Sequence, residues 1–440
     1  MGVLTVENVA AGGDGVGRLN GLAVFVPRTA PGDVAQVAYR IHGRLGRGRV
    51  LQVLTPSTHR VEPRCVHYVN DLCGGCQVQH LDAETQQRSR QEIVRDTLAR
   101  IGKRTIPLPS IVTGREWGYR TRLTLALRKR GSGWTAGLHR YDDGARVFSL
   151  SECAIVEPTI EATWQALRVW VERNQTPLPS APLLRLSLRL AESRDASGQI
   201  TVGVFVVVQG GASWPTQDAW RRAVRGMAPR VLDVLWTPAD IAAEDVMAPS
   251  ASEATEAAEA RAFAQVNASV ADAMHEVVLE HVRTLQGVRV FDGYAGTGRL
   301  ALALVADAER RVVSVELDPA GVRATEAQRA LLPSDAAARL DVQCELVEKA
   351  LQHTATTAFA PDVVVLNPPR AGVDVRVTKW LESKAASSVR GVVYVSCNPA
   401  TLARDLSRLP SWRVESVQCF DMFPQTAHVE SVCVLQREKP

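Results

Sequence analysis

The chain has 440 residues, 46% of them hydrophobic and 22% charged, with a formal net charge of +4. This is the composition of a globular protein of about two to four domains. No apolar run approaches the ~18 residues that would span a membrane, and Met1–Ala10 carries Glu7 with no basic residue ahead of an apolar run, so a secretory leader is not expected and the chain reads as cytoplasmic.

Residues 1–57 are rich in glycine and valine, with Gly12, Gly13, Gly15, Gly17, Gly21 and Gly32 separating short apolar runs such as Leu22–Val26. Short strands joined by tight turns predict a compact β-barrel, a common fold for binding oligonucleotides. Two arginine clusters, Arg40, Arg44, Arg47 and Arg49, then Arg120, Arg122, Arg128, Lys129 and Arg130, suit a phosphate backbone or equally a solvated surface.

Residues 58–240 form a central, strand-rich region. Cys65, Cys73 and Cys76 have the spacing Cys-x7-Cys-Gly-Gly-Cys, and Cys153 follows in Ser151-Glu152-Cys153-Ala154. In a long chain read as cytoplasmic, such cysteines point to metal binding or catalysis rather than disulfides. Four thiolates suit a structural zinc or an iron–sulfur cluster, and spacing alone favours zinc slightly. Residues 84–101 read as a helix with Ile93, Val94, Leu98 and Ile101 on one face. Leu183–Leu190 and Ile200–Val208 flank the turn-like Ser193–Gly198 and predict a hairpin. We expect the segment 84–118 to pack on the C-terminal domain, and the Ala-, Glu- and Ser-rich stretch 241–262 to be a linker or loop.

From 263 to 440 the pattern alternates. A helix over Ser269–Leu285 precedes apolar strands at Val288–Phe291, Arg311–Glu316, Asp362–Leu366 and Gly391–Ser396, which predicts a doubly wound, Rossmann-like parallel sheet. Asp292-Gly293-Tyr294-Ala295-Gly296-Thr297-Gly298 follows the first strand and opens a helix, and Glu316 ends the next strand, where an acid can take ribose hydroxyls. The Gly-x-x-Gly-x-Gly spacing favours S-adenosylmethionine over a dinucleotide. The third strand ends in Asn367-Pro368-Pro369-Arg370. Asn-Pro-Pro also serves methyl transfer to nitrogen, though usually with an aromatic residue next.

A later strand ends in Ser396-Cys397-Asn398-Pro399. Cys397 at the carboxyl edge is a candidate nucleophile, although a lone cysteine is as often a core residue. Near the end, His428 and Glu430 share one face of an extended segment, and either suits a general base. Nucleophile, base and methyl donor together fit a ring carbon activated by thiolate addition, as carbon 5 of uracil is. Methylation of nitrogen needs neither the thiol nor the base.

These motifs resemble the RNA 5-methyluridine methyltransferases, especially the bacterial 23S ribosomal RNA uracil-5 enzymes. The likeness runs through Gly15-Val16-Gly17-Arg18, Val24–Pro27, Pro31-Gly32-Asp33, Cys73–His80, Tyr119-Arg120, Phe263–Asn267, the glycine loop, Ser396–Pro399 and Pro424-x-Thr-x-His-Val-Glu430. It implies a TRAM RNA-binding barrel at the N-terminus. It implies a [4Fe-4S] cluster on Cys65, Cys73, Cys76 and Cys153, in place of zinc. Gln265, Tyr294, Arg299, Glu316 and Asn367 would line the S-adenosylmethionine site, with Cys397 as nucleophile and Glu430 as proton-abstracting base. Three positions depart from the family pattern: Asn367 stands where Asp is usual, Arg299 where Asn is usual, and the first two cluster cysteines are further apart than is typical.

The expectation is therefore a monomeric, multi-domain α/β enzyme that methylates carbon 5 of a uridine in 23S ribosomal RNA through a cysteine adduct. The same chemistry on transfer RNA is the near alternative. An RNA-binding ribosome assembly factor with a weakened catalytic domain is the more distant one.

Overall fold

The computed structural model describes residues 1–194, 200–228, 230–238, 265–354 and 359–437. Five strands, β1 (Gly2–Val9), β2 (Gly15–Leu19), β3 (Leu22–Val26), β4 (Val34–His42) and β5 (Leu45–Thr55), close into a barrel in the order β1-β2-β3-β5-β4. Period-2 alternation sends Leu4, Val6, Val24, Val26, Ala35 and Val37 inward to fill it. Two contacts fasten the barrel to the chain that follows. Buried Asp33 accepts from Ala30 N, Ser57 N and the Arg60 guanidinium. Arg28 lies 3.8 Å from the Tyr68 ring centroid and 4.2 Å from that of Tyr141, and donates to Cys73 O at 3.0 Å.

The helix Ala83–Arg100 starts where Asp82 Oδ1 accepts from Thr85 N at 2.7 Å, a cap worth about 1 kcal/mol. Its Val94 and Leu98 are fully buried among residues of the C-terminal domain, including Leu402 and Ala403. After it, β6 (Ser110–Val112) pairs in parallel with a strand of that domain's sheet.

The central sheet comprises β7 (Arg122–Arg130), β8 (Gly133–His139), β9 (Val147–Ser149), β10 (Leu183–Arg194), β11 (Ile200–Gln209) and β12 (Val231–Thr237), ordered β12-β11-β10-β7-β8-β9. One face carries Leu123, Leu125, Leu127, Leu184, Leu186 and Leu188 against Trp164 and Trp220 of the helices Pro158–Arg173 and Gln217–Met227. β10 and β11 pair as an antiparallel hairpin out to Arg194↔Ile200. Ser193 and Arg194 of the expected turn Ser193–Gly198 still pair within the ladder, and the rest of that turn and the expected linker 241–262 lie outside the described residues.

The C-terminal sheet has eight strands: β13 (Arg289–Gly293), β14 (Arg311–Glu316), β15 (Leu340–Cys344), β16 (Val363–Leu366), β17 (Gly391–Ser396), β18 (Trp412–Phe420), β19 (Glu430–Arg437) and β6. The order is β15-β14-β13-β16-β17-β19-β18-β6, with β19 antiparallel to both neighbours. Strands such as Val363–Leu366 are apolar throughout because both faces are covered. The helix Ala268–Thr284 packs on one face through Val270, Met274 and Val278, while the helix Val375–Glu382 covers the other through Val377 and Leu381. No helix among the described residues is long and apolar enough to cross a membrane.

Candidate active site

The parallel strands β13, β14, β16 and β17 all end at one edge, where an open α/β sheet takes its ligands. At that edge Tyr294, Gly296 and Gly298 have φ of 62°, 60° and 72°. This left-handed path turns the chain from β13 into the helix Arg299–Leu304. A Cβ on Gly298 would lie 2.3 Å from Thr325 Cγ2, so only glycine fits there. Glu316, at the end of β14, is locked in place: its Oε2 accepts from Gly296 N at 2.8 Å and its Oε1 from Leu317 N and Asp318 N at 2.7 and 2.8 Å. Asn367 follows β16, exposed, with its N–H donating to Gly293 O at 3.2 Å. Gln265 lies half-buried just ahead of the helix Ala268–Thr284. Arg299 is turned outward: its guanidinium pairs with Asp272, and both side chains are exposed.

The motif reading passed over Asp292. This carboxyl is fully enclosed; burial, and then the charge of Glu316, push its pKa up to about 7. Its Oδ2 has no hydrogen-bond partner among the described residues. A buried polar atom without a partner beside a glycine cradle is a place where a ligand donor fits. Its only signal in the sequence was its place as first residue of the loop.

Two strands further along, Ser396 of β17 faces Ser431 of β19, and Ser431 Oγ donates to Ser396 O at 3.3 Å. One step outward from this pair stand Cys397 on one side and Glu430 on the other. Glu430 is 4% exposed, and burial pushes its pKa up to about 8, with Arg370 opposing the shift. The Cys397 thiol is raised by burial and then by the Glu430 charge. Arg370 opposes this too, by its field and by a side-chain hydrogen bond to the thiol. Arg370 thus serves both groups, a role not assigned from the sequence, where it was noted only for replacing an aromatic residue. His428 is driven toward its neutral form by burial and then by Arg370, Arg120 and Arg90.

The Arg370 loop is held from below. Asn398 Nδ2 donates to Arg370 O at 3.1 Å while Asn398 Oδ1 caps the helix Pro399–Leu406 at Ala400 N. Fully buried Asp405, on that helix, accepts from Val373 N at 3.0 Å and from Tyr394 OH at 2.8 Å.

Away from this edge, Cys65, Cys73, Cys76 and Cys153 line one cavity of about 120 Å³ together with apolar residues such as Leu123 and Ile155. Burial pushes Cys73 to about 11, with nearby Cys65 adding to the shift, and Cys76 to about 12. Cys153 is driven up by burial and then by Cys76. Among the described residues, no three ligand-type side chains draw close enough to share a single metal ion.

Comparison with known proteins bears on the family and the fold. Residues 252–438 match the family model tRNA (Uracil-5-)-methyltransferase. The 23S rRNA (uracil(1939)-C(5))-methyltransferase RlmD of Thiobacillus denitrificans is 31% identical over 97% of this chain and 97% of its own length. An RNA methyltransferase of Thermosynechococcus vestitus is 31% identical over 98% of this chain and 97% of its own. The fold is shared with the crystal structure of Pyrococcus abyssi tRNA (uracil-54, C5)-methyltransferase in complex with S-adenosyl-L-homocysteine, with a TM-score of 0.67 and 22% identity over 99% of this chain and all of that one. A glycine cradle, a thiol and a buried carboxyl at one sheet edge, in a chain that matches such relatives from end to end, place it plainly: it belongs to the RNA uracil-5 methyltransferase family.

Proposed function

We propose that the substrate is a uridine of 23S ribosomal RNA, methylated through a covalent adduct to Cys397 with Glu430 as the base. The observation that carries the mechanism is the juxtaposition of Cys397 and Glu430 across the β17–β19 ladder, with Arg370 serving both. The ribosomal target is supported by the end-to-end similarity to a relative named for 23S rRNA.

The glycine cradle, Glu316 and Asp292 fit S-adenosylmethionine, which supplies an electrophilic methyl group when bound; Tyr294 and Asn367 stand at the same edge, and Gln265 would join them from the segment ahead of the helix Ala268–Thr284. Arg299 is given a lesser part, because Asp272 engages it. The Cys397 thiolate bonds to carbon 6 of uracil, and the electrons of the C5=C6 bond move toward the carbonyl oxygen on carbon 4. Carbon 5 then takes the methyl group as the sulfonium C–S bond breaks. Glu430 removes the proton from carbon 5, the C5=C6 bond re-forms, and the thiolate leaves. Arg370 stabilises the thiolate and, being a fixed cation, favours the ionised form of Glu430 as well. A base within a helix must be flipped out to reach this edge.

For the four cysteines the family resemblance favours a [4Fe-4S] cluster over zinc, and what supports a shared site is that four thiols, three buried and Cys153 half-buried, line one cavity. There the cluster would cross-link two distant stretches of chain. The barrel would add RNA contacts through its arginines.

Mapping 5-methyluridine in 23S rRNA and in tRNA, from cells with and without the gene, tests the target. Loss of one 23S site supports the proposal, and loss of a tRNA site instead overturns it.

A further inference from the structure

The last loop before Glu430 is held chiefly by a distant part of the chain. Gln425 is 2% exposed and adopts a left-handed φ of 70° without being glycine. Its carbonyl accepts from both Gln77 N and Val78 N, each at 3.2 Å. Its backbone N–H donates to Gln86 Oε1 at 3.1 Å, and its side-chain Oε1 accepts from Gln86 Nε2 at 3.0 Å. On one side, Tyr119 OH donates to Pro424 O at 3.0 Å; on the other, Arg90 donates to Thr426 O at 2.7 Å. Gln77 Oε1 also accepts from Ala427 N at 3.4 Å.

A left-handed glutamine is strained and persists only where its surroundings over-determine it. Here the surroundings are Gln77, Val78 and Gln86, more than three hundred residues away in sequence. Gln86 is itself fixed, 5% exposed, with Nε2 also donating to Leu81 O at 2.9 Å. Gln77 directly follows Cys76 of the cysteine cavity. Five residues after Gln425 comes Glu430, whose carboxyl must meet the proton on carbon 5 within hydrogen-bonding reach.

We propose that Gln86, with Gln77, is a positioning residue for the base Glu430: it clamps Gln425 in its left-handed turn and so aims the carboxyl at carbon 5. The proposal rests on the Cys397–Glu430 mechanism. It separates two halves of one reaction. Thiolate addition and methyl transfer depend on the β17 edge and the glycine cradle, which the clamp does not touch. Proton removal, and with it release of the adduct, depends on the aim of Glu430.

The test uses the full chain, radiolabelled S-adenosylmethionine and ribosomal RNA from a strain lacking the gene. Label in released RNA is compared with label in RNA that stays bound to protein in denaturing detergent. Gln86→Leu is expected to raise the bound-to-released ratio about tenfold or more, with the initial rate of label transfer to RNA, bound and released together, nearly unchanged. Gln77→Ala, which keeps Gln86 and the backbone bonds to Gln425 O but removes the Gln77 Oε1 bond to Ala427 N in the same loop, is expected to move the ratio the same way by a smaller factor and covers the case in which Gln86→Leu does not fold. If bound and released label fall in parallel in the folded variants, the clamp is only structural and the proposal is wrong. If the wild type places no methyl group on carbon 5, the underlying mechanism has failed and the clamp falls with it. An active wild type with unchanged ratios in the variants removes the clamp alone.

Discussion

Ser431 stands directly opposite Ser396 in the antiparallel register of β19 on β17. From that one pairing, chain direction carries Cys397 and Glu430 to the same rim. A one-residue slip of the register would move Glu430 off the thiol and turn its side chain to the other face of the sheet.

Removing the base should therefore leave the first half of the reaction intact. Glu430→Gln is expected to lower the rate of released product by about 10²–10⁴-fold and to accumulate RNA linked to the protein. Cys397→Ala should give neither product nor linked RNA. Denaturing gels of labelled RNA read both outcomes; product formation by Cys397→Ala at the wild-type rate would remove the covalent mechanism.

The pH dependence follows from burial. Glu430 holds its proton up to about pH 8 in the folded protein. As a base it acts when ionised, so turnover should climb as pH rises through that value. Arg370 favours the ionised forms of both Glu430 and Cys397, so Arg370→Leu should move the rising limb of the profile to higher pH by about one unit. A profile that keeps its midpoint in the variant counts against this role.

The same shift has a stability sign. A carboxyl whose folded pKa is raised contributes stability that is present below its unfolded pKa and lost as pH rises through the folded value. Glu430→Gln cannot ionise and escapes that loss. The variant should melt at a higher temperature than wild type near pH 9 and at about the same temperature near pH 4. Thermal melts at the two pH values check it.

At the cofactor end, Gly298→Ala would force a methyl group to 2.3 Å from Thr325 at a left-handed φ. The loop must shift, and affinity for S-adenosylhomocysteine, measured by calorimetry, should fall about tenfold or more while the central domain stays folded. Unchanged affinity would show that the cradle is not the cofactor site.

For the cysteine cavity, protein purified without oxygen should be brown and hold iron and acid-labile sulfide. Cys76→Ser should lose the colour and the metal together. A colourless wild type carrying one zinc ion would return the site to the reading that spacing alone favoured.

The candidate residues that the structure brings to one sheet edge were legible because each sits in a short local motif: the glycine loop, Ser396–Pro399 and Thr426–Glu430. Arrangements made by distant partners were not. The clamp on Gln425 comes from residues near Gln77 and Gln86, and no pattern near Gln425 announces a left-handed glutamine. Asp292 looked like an ordinary start to the glycine loop, because burial is not written in one position. Arg299, in the same motif, pairs with Asp272 on a neighbouring helix, a contact that no local spacing announces. The choice between zinc and a cluster turns on how far apart four sulfurs lie, which spacing along the chain cannot express.

The three residues of β6 carry a consequence for how the chain is made. Ser110–Val112 complete the edge of the C-terminal sheet against β18, and Asp421 N donates to Val112 O at 2.8 Å. They leave the ribosome some three hundred residues before their partner exists. The early half must wait with that strand unpaired, and the late half, expressed alone from residue 263, would carry β18 as a bare edge open to other chains. The enzyme is thus not a set of detachable modules: its catalytic unit is discontinuous in sequence, and a clean cut at the visible change of composition would leave both pieces incomplete.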